Sequence, residues 1–390
     1  MKKSDDKKII PLFDLKLSAR TKKEVAATLD SGWLTTGPRV RNFEQAVAEY
    51  LKVKHTVAIN SATIGLQMVL AAIGAGPGKE VVTTPFTFVG TIEAILLAGG
   101  QPVFADIIAQ TLNLDPAKIE PCLNPQTAAV MPVDIAGNPA DYGRIAAICN
   151  EADVPLVSDA AQSIAGLHRG KSVPSHVDAA VFSFYSTKNL TCGEGGMVVS
   201  RHKELIDAVR LLSLHGLTSG TLDRNKNKKW RYDVKHLGFK ANMSDIHAAV
   251  GLGELTVLDD YQRKRTKLAE RYIDNLSDLS ELVAMPVAEE NSTHGWHLFI
   301  ARLQPAALTI DRDRFIELML EAGVECGVHY LPVFELSYYR QALQIAPENL
   351  PNAAVAGRSV VSLPLHPGLK LTEVDFVCEC IRTILLKHRK

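Results

Sequence analysis

The sequence has no surplus of charge of either sign, unlike proteins that attract polyanions through a broad electrostatic field. Its 390 residues contain 43 lysines and arginines against 43 aspartates and glutamates, so the formal net charge is zero. A protein that follows nucleic acid normally carries a basic surplus, because each phosphate that it neutralises needs a cation. We therefore expect neither nucleic acid nor a membrane surface as a partner.

Long uninterrupted apolar runs are also missing. The least charged segment, residues 81–105, carries only Glu93, but Pro85 and three glycines divide it into strand, turn and helix. A membrane-spanning helix needs about 20 apolar residues in succession. The start of the chain lacks the apolar stretch of a signal peptide, because Asp5 and Pro11 fall within it. The sequence thus predicts a cytoplasmic protein.

Cysteine pairs are missing as well. The six cysteines are scattered without a Cys-x-x-Cys motif, and the close pair Cys378 and Cys380 has no histidine or cysteine at zinc-finger spacing. We expect reduced thiols, as in a cytoplasmic protein, and no metal site. The sequence shows no internal repeat either.

Short apolar runs alternate with longer helical periodicities over the first 250 residues. This alternation predicts a three-layer α/β fold in which helices cover a mainly parallel sheet. The predicted strands are residues 55–60, 80–84, 129–133, 156–159, 179–184 and 196–200, and the predicted helices between them are residues 63–73, 91–97 and 141–151.

The pattern changes in the last third of the chain. A helical pattern runs from Ser244 to Leu276, and isolated strand and helix patterns follow it. We therefore predict a large α/β domain over residues 1–255 and a smaller C-terminal α+β domain over residues 256–390. The later elements are a strand at 296–303 and helices at 313–322 and 373–386.

Two predicted strand ends supply an anion site and an acid. After Asn60, the residues Ser61, Ala62 and Thr63 lead into an apolar helix, whose N-terminal N–H groups favour an anion. These hydroxyl residues are equally suited to ordinary helix capping. Asp159 stands at the carboxyl end of a strand, where open α/β sheets bind ligands, or it caps a following helix.

A third feature is the loop between residues 184 and 196, which holds Lys188. A lysine withdrawn from water has a lowered pKa, which Schiff-base formation requires. A solvated lysine in a hairpin loop is the alternative. The glycines at 193, 195 and 196 favour the first interpretation, because they let the backbone approach a bound group.

Together these features predict a pyridoxal phosphate site with a phosphate cradle, an acid for the ring nitrogen and a lysine for the aldehyde. The carboxylate keeps the ring nitrogen protonated, and the protonated ring is an electron sink. Phe88, which follows another predicted strand, offers an aromatic face for the ring.

The motifs resemble those of the DegT/StrS-type nucleotide-sugar aminotransferases, within the fold type I pyridoxal phosphate enzymes. The resemblance extends over nearly the whole chain and follows the family's order. The motifs are SGWLTTGP at 31–38, TPFTF at 84–88, SDAAQ at 158–162, FSFYSTK at 182–188, GEGG at 193–196, GFKANM at 238–243 and SLPLHPG at 362–368.

This resemblance implies roles for individual residues. Lys188 is expected to form the Schiff base, Asp159 to bind the ring nitrogen, Gln162 to meet the phenolic oxygen and Phe88 to stack on the ring. It also implies a homodimer with shared sites. The implied phosphate ligands are Ala62, Thr63 and Ser183, with Lys240 or Asn242 from the neighbouring subunit.

Three positions depart from the family pattern. Ala62 replaces a common glycine in the cradle and needs a negative φ for the close approach. Asp134 stands where many members have histidine, and Ala241 replaces a common aromatic residue. None of these departures affects Asp159 or Lys188.

The reaction implied is transfer of an amino group from L-glutamate to a keto sugar carried by a nucleotide, in amino-sugar biosynthesis for surface polysaccharides or secondary metabolites. Lys188 would also move the proton as general base and acid. The alternatives are a pyridoxal phosphate-dependent sugar dehydratase and a non-catalytic regulatory member of the fold. Dehydratase members typically carry histidine in place of the lysine, so Lys188 favours transamination.

Two further features remain. The basic segment 224–231 is interpreted as a solvated loop, with the phosphates of a sugar nucleotide as its alternative partner. Four histidines beside apolar or glycine residues are interpreted as buried structural residues without metal-site spacing. They are His215, His297, His329 and His366. The resemblance leaves one alternative open, in which His329 and Tyr330 border the substrate, but they are not assigned to the site.

Overall fold

The computed structural model describes residues 9–218 and 231–390, so residues 224–230 of the basic segment lie outside the described part. In order, the helices are α1 (Ala19–Asp30), α2 (Pro38–Leu51), α3 (Ala62–Ala72), α4 (Val89–Leu97), α5 (Tyr142–Glu151), α6 (Lys203–Leu212), α7 (Asp245–Leu255), α8 (Leu258–Leu276), α9 (Arg312–Ala322), α10 (Ser337–Leu343), α11 (Pro351–Ser359) and α12 (Leu371–Lys387). The strands are β1 (His55–Ile59), β2 (Glu80–Thr83), β3 (Gln101–Phe104), β4 (Thr127–Met131), β5 (Val157–Asp159), β6 (Leu167–His168), β7 (Lys171–Ser172), β8 (Ala179–Ser183), β9 (Gly196–Ser200), β10 (Val283–Ala284), β11 (Ser292–Thr293), β12 (Phe299–Leu303) and β13 (Val360–Leu363).

The main sheet is mostly parallel, as predicted. Strands β1, β9, β8 and β5 lie side by side, and β3, β2 and β4 form the other half. Parallel bridges from Val130 to Leu156 and from Val133 to Asp159 join β4 to β5. The resulting order is β1-β9-β8-β5-β4-β2-β3. Strand β9 alone among these seven runs antiparallel, since it returns directly from β8 as a hairpin.

Strand β3 was not predicted. It lies at the edge of the sheet and pairs only with β2 among the described strands. Its Gln101 is exposed, its other residues are half-buried, and Pro102 cannot donate a ladder hydrogen bond. Such a strand lacks the buried apolar run that identifies central strands, because an edge strand tolerates proline and solvent.

Helices cover both faces of this sheet, which confirms the three-layer prediction. Alternate residues of β8 enter opposite cores, Phe182 on one face and Val181 on the other. Phe43 of α2 and Ile145 of α5 are buried in the first core, and Leu66 of α3 is buried in the second. Because neighbouring residues of a strand point to opposite faces, each helix layer packs on its own apolar face of the sheet.

The pattern predicted over residues 244–276 is two helices, α7 and α8, separated at Thr256 and Val257. Helices α8, α9 and α12 pack with the antiparallel sheet β10-β12-β13 around Tyr272 and Phe299. The domain division at residue 255 stays a prediction. Within the described residues, no helix combines the length and the apolar character that a membrane crossing requires.

The strand predicted at 296–303 begins only at Phe299. Trp296 has a positive φ of 48°, which is outside the β region. Its aromatic ring instead stacks on His294, with the ring centroids 3.9 Å apart. This bend directs the residues just before β12 towards the main sheet.

Candidate active site

A cavity of about 490 Å³ lies at the carboxyl ends of the parallel strands. Its volume falls within the range of small-molecule and cofactor sites. Motifs that are far apart in the sequence meet here, as the predicted cofactor site required. The predicted site residues that line the cavity are Ala62, Thr63, Phe88, Asp159, Gln162, Ser183 and Lys188.

The N-terminus of α3 forms one wall of the cavity. The Ser61 hydroxyl accepts a hydrogen bond from the Ile64 N–H at 3.5 Å, so the capping interpretation applies. Ser61, Ala62 and Thr63 also line the cavity, so the helix end remains available to an anion. A Cβ atom on Gly196 would lie 2.9 Å from the Ala62 nitrogen, which explains why only glycine fits beneath this turn.

Asp159 is buried at the end of β5. One carboxylate oxygen accepts a hydrogen bond from the Thr91 hydroxyl at 2.7 Å, and the other accepts one from the Ala161 N–H at 3.2 Å. Burial raises the pKa of Asp159, while these two bonds and the Lys188 charge act in the opposite direction. Residues 160–166 form turns, so Asp159 does not cap a helix as the alternative supposed.

Lys188 extends from the loop between β8 and β9 into the cavity. The loop is turned by a hydrogen bond from the Lys188 N–H to the Tyr185 carbonyl at 3.0 Å. Burial lowers the pKa of the Lys188 amine from 10.5 to about 8, although the nearby Asp159 carboxylate partly opposes this. Lys188 is half-buried and lines the cavity, so its position favours the first interpretation over a solvated lysine.

Gln162 lines the cavity, and its amide nitrogen is the group left to donate a hydrogen bond there. Its carbonyl oxygen already accepts a hydrogen bond from the Ala136 N–H at 2.9 Å. The neighbouring Ser163 donates its hydroxyl hydrogen to the buried Asp134 at 2.5 Å, and the Tyr142 hydroxyl bonds the same carboxylate at 2.6 Å. Burial raises the pKa of Asp134 to about 6. Asp134 thus anchors the turn that carries Gln162.

Several residues that the sequence did not assign to the site line the same cavity. His297, which was interpreted as structural, places Nε2 3.5 Å from the Lys188 amine. His329 and Tyr330 also line it, and the Tyr330 ring centroid lies 6.0 Å from that of Phe88. These three residues lie more than 100 positions beyond Lys188, and no local pattern connects them to it.

The position of Thr91 in the sequence could have marked it as a site residue. It follows TPFTF near the start of α4, at a strand end where polar side chains reach the carboxyl edge of the sheet. His215 and His366 do not line the cavity.

Lys240 and Asn242 do not line the cavity of their own chain. The Lys240 amine bonds the Asn242 side chain, whose amide donates to the Thr36 hydroxyl at 2.6 Å. Asn242 also forms a backbone bridge with Ile59 at the end of β1. Their predicted contribution to a neighbouring subunit's site stays a prediction.

The side chains of the cavity fit pyridoxal phosphate. A helix N-terminus suits the phosphate, the Asp159 carboxylate suits a protonated ring nitrogen, and the Lys188 amine of lowered pKa suits the aldehyde. When bound, this cofactor supplies an electron sink beside the carbon that carries the transferred amine. Fold and site thus define a fold type I pyridoxal phosphate enzyme.

Comparisons with known proteins give the same class. The profile of the DegT/DnrJ/EryC1/StrS aminotransferase family matches residues 16–382. The spore coat polysaccharide biosynthesis protein SpsC of Bacillus subtilis is 38% identical over 365 residues, which cover 93% of this chain and 94% of SpsC.

Solved structures are similar over nearly their full length. The sugar aminotransferase Spr1654 of Streptococcus pneumoniae, in its PMP form, superposes with a TM-score of 0.91 at 30% identity, covering 97% of this chain and 99% of that one. Spr1654 has also been solved in PLP and apo forms. DesI in the presence of its TDP-sugar product has a TM-score of 0.87 at 29% identity, covering 97% and 93%.

The chain belongs to the DegT/DnrJ/EryC1/StrS aminotransferase family. It is a pyridoxal phosphate-dependent sugar aminotransferase of fold type I.

Proposed function

We propose that this enzyme transfers an amino group from L-glutamate to the keto group of a nucleotide-linked sugar. The products are 2-oxoglutarate and an amino sugar for a surface polysaccharide or a secondary metabolite. The observation that carries the proposal is the Lys188 amine, of lowered pKa, in one cavity with the buried Asp159 carboxylate. The name of SpsC supports the polysaccharide context, and the TDP-sugar product of DesI supports a nucleotide-linked substrate.

The proposed roles follow from the positions of the side chains. Asp159 holds a proton on the ring nitrogen, and the N-terminus of α3 with Ser183 binds the phosphate. Gln162 donates its amide hydrogen to the phenolic oxygen. Lys188, with a pKa of about 8, is partly deprotonated near neutral pH, so it takes up and returns the proton that must move between substrate and cofactor carbons.

We also propose that the working unit is a homodimer in the cytoplasm. Phe88 and Tyr185 line the cavity yet are 56% and 46% exposed in the single chain, which suits coverage by a second subunit. Lys240 or Asn242 of that subunit would complete the phosphate site. All six cysteines are free thiols, which suits a reducing compartment.

The reaction is tested with purified holoenzyme, ¹⁵N-labelled L-glutamate and a panel of keto-sugar nucleotides. We expect one panel member to gain a labelled amine while an equal amount of 2-oxoglutarate forms, as mass spectrometry would show. Release of water or ammonia from the sugar, without a gained amine, would instead identify a dehydratase. Cofactor binding without reaction with glutamate or any panel sugar would favour a regulatory protein.

Replacing the lysine tests its assignment directly. Lys188→Ala should lower turnover by about three orders of magnitude or more, because both the covalent anchor and the proton carrier are removed. Lys203→Ala is the matched control, since Lys203 is exposed at the start of α6 and does not line the cavity. Near-normal transamination by Lys188→Ala would refute the assignment.

A further inference from the structure

His297 is the neighbour of Lys188 that the proposed reaction leaves without a role. It lies in the bend that precedes β12, is 6% exposed and lines the cavity. Its Nε2 atom is 3.5 Å from the Lys188 amine. The two residues are 109 positions apart in sequence, so their meeting depends on how the C-terminal elements pack against the main sheet.

The surroundings of His297 keep its imidazole neutral. Burial lowers the pKa of His297 well below 6.5, and the charges of Lys188 and Arg265 and the nearby His329 act in the same direction. Arg265 is itself buried and donates hydrogen bonds to the carbonyls of Trp296 and His297 at 3.2 and 3.3 Å. A second proton on His297 would therefore place another positive charge beside those of Lys188 and Arg265.

A neutral imidazole carries one N–H, and its surroundings determine which nitrogen holds it. Nδ1 of His297 is buried without a hydrogen-bond partner among the described residues. An N–H buried without an acceptor is costly. When the Lys188 amine is deprotonated and offers its lone pair, the proton therefore sits better on Nε2, which faces that amine.

We infer that His297 is a positioning residue for Lys188: its neutral imidazole donates the Nε2 hydrogen to the free amine and holds that amine towards the cavity. The inference rests on the role proposed for Lys188. A lysine side chain has four rotatable methylene bonds, so a fixed partner restricts where its nitrogen lies. Because His297 stays neutral, it supports the amine without competing for the proton that Lys188 carries.

Other polar groups face the same amine. Asp159 attracts its protonated form, and His329 also lies near it, with Nδ1 2.8 Å from the Ser362 hydroxyl. The half-buried Tyr330 lies in the same wall, where partial desolvation and Asp159 keep its pKa high, so its hydroxyl is neutral. Asp159 favours the charged amine, whereas the Nε2 hydrogen of His297 favours the neutral one.

The test measures the titration of Lys188 in the full-length apoenzyme, so it does not depend on turnover. Competitive labelling with acetic anhydride across pH, read by mass spectrometry of the peptide that contains Lys188, gives the pKa of this single amine. We expect His297→Phe and His297→Asn to raise it by about half to one pH unit, because a hydrogen bond to the neutral amine is lost.

Rescue and control variants separate positioning from packing. His297→Gln keeps an N–H near the position of Nε2, so the pKa of Lys188 should shift by less than half as much as in His297→Asn. His294→Asn is the matched control: His294 is a buried histidine three residues away that does not line the cavity. Asparagine preserves the acceptor for the Trp296 N–H, which His294 Nδ1 bonds at 2.8 Å.

An unchanged titration of Lys188 in both His297→Phe and His297→Asn would overturn the inference, as would an equal shift in His294→Asn or His297→Gln. If a variant fails to fold, ¹⁵N NMR of the wild-type apoenzyme above about pH 9, where the Lys188 amine is mostly deprotonated, decides, because a proton on Nδ1 of His297 under that condition contradicts the inference. In the holoenzyme we expect His297→Phe to lower kcat about tenfold with KM for glutamate within twofold. If the His297 variants raise the pKa of Lys188 as expected but the wild-type enzyme does not transaminate any panel sugar, only the proposed function is refuted.

Discussion

Charged side chains are held in two different ways in this molecule. On the C-terminal helices they are exposed and paired: Arg271 on α8 binds Asp375 on α12 at 2.6 and 3.1 Å. In the cavity Asp159 is buried and Lys188 half-buried, and neither is joined to an oppositely charged group at hydrogen-bond distance among the described residues. The Lys188 amine faces a neutral imidazole, and the Asp159 carboxylate accepts bonds from an uncharged hydroxyl and a backbone N–H.

The two arrangements change pKa values in opposite ways. Hydrogen bonds from Arg271 and Asn275 lower the pKa of Asp375, which favours its ordinary charged form. Burial raises the pKa of Asp159 and lowers that of Lys188, which moves both towards neutrality. The exposed charges therefore join helices through ion pairs, whereas the cavity groups have only uncharged hydrogen-bond partners, which leaves their pKa values shifted towards neutrality.

After the loss expected for Lys188→Ala, the next largest effect should come from neutralising the buried acid. Asp159→Asn removes the carboxylate that keeps the ring nitrogen protonated, so we expect kcat to fall by about 100-fold or more. Thr91→Val removes only one hydrogen bond to that carboxylate and should cost about tenfold. Steady-state assays with glutamate check both values, with circular dichroism to verify folding. An unaffected rate in Asp159→Asn would reduce Asp159 to an anchor for the turn at 160–166.

A smaller effect should appear in the stability of the apoenzyme. The pKa of Lys188 is about 8 when folded and 10.5 in its ordinary environment, so between these values the unfolded chain binds more protons and stability rises with pH. Below pH 8 the buried ammonium costs up to about 3 kcal/mol. Lys188→Met should therefore be more stable than wild type at pH 7, and the difference should shrink towards pH 10.5.

Urea unfolding of the apoenzyme at pH 7, 8.5 and 10 measures this difference in free energy. Lys203→Met is the control, since Lys203 is exposed and its replacement should give no such trend. If Lys188→Met is less stable than wild type at pH 7, the amine is better solvated than its position suggests, and the contrast between the two regions weakens.

The smallest effect should come from the exposed pairs. Arg382 bonds both carboxylate oxygens of Asp278, at 2.6 and 2.7 Å, in the C-terminal part of the chain. Arg382→Ala should leave kcat unchanged and shift the thermal midpoint by less than about 2 °C, because solvent screens exposed ion pairs. A loss of activity in this variant would show that the exposed charges influence the cavity.

Local pattern was sufficient for the centre of the fold. Strands such as β8 and β9 consist mainly of buried apolar residues bounded by polar or glycine-rich turns, so their type and position followed from the sequence. The edge strand β3 and the break between α7 and α8 were missed. An edge strand carries little apolar signal, and two helices joined by a short break share one periodicity.

The sequence by itself singled out Asp159 and Lys188, the groups proposed to carry the chemistry, because strand ends and glycine-flanked loops have local signatures. Only the tertiary structure decided which groups surround them. His297 reaches Lys188 from 109 residues away, and Thr91 reaches Asp159 from 68. These two contacts, and the burial that shifts the pKa values of Asp159 and Lys188, arise from packing between separate elements, which no short stretch of sequence encodes.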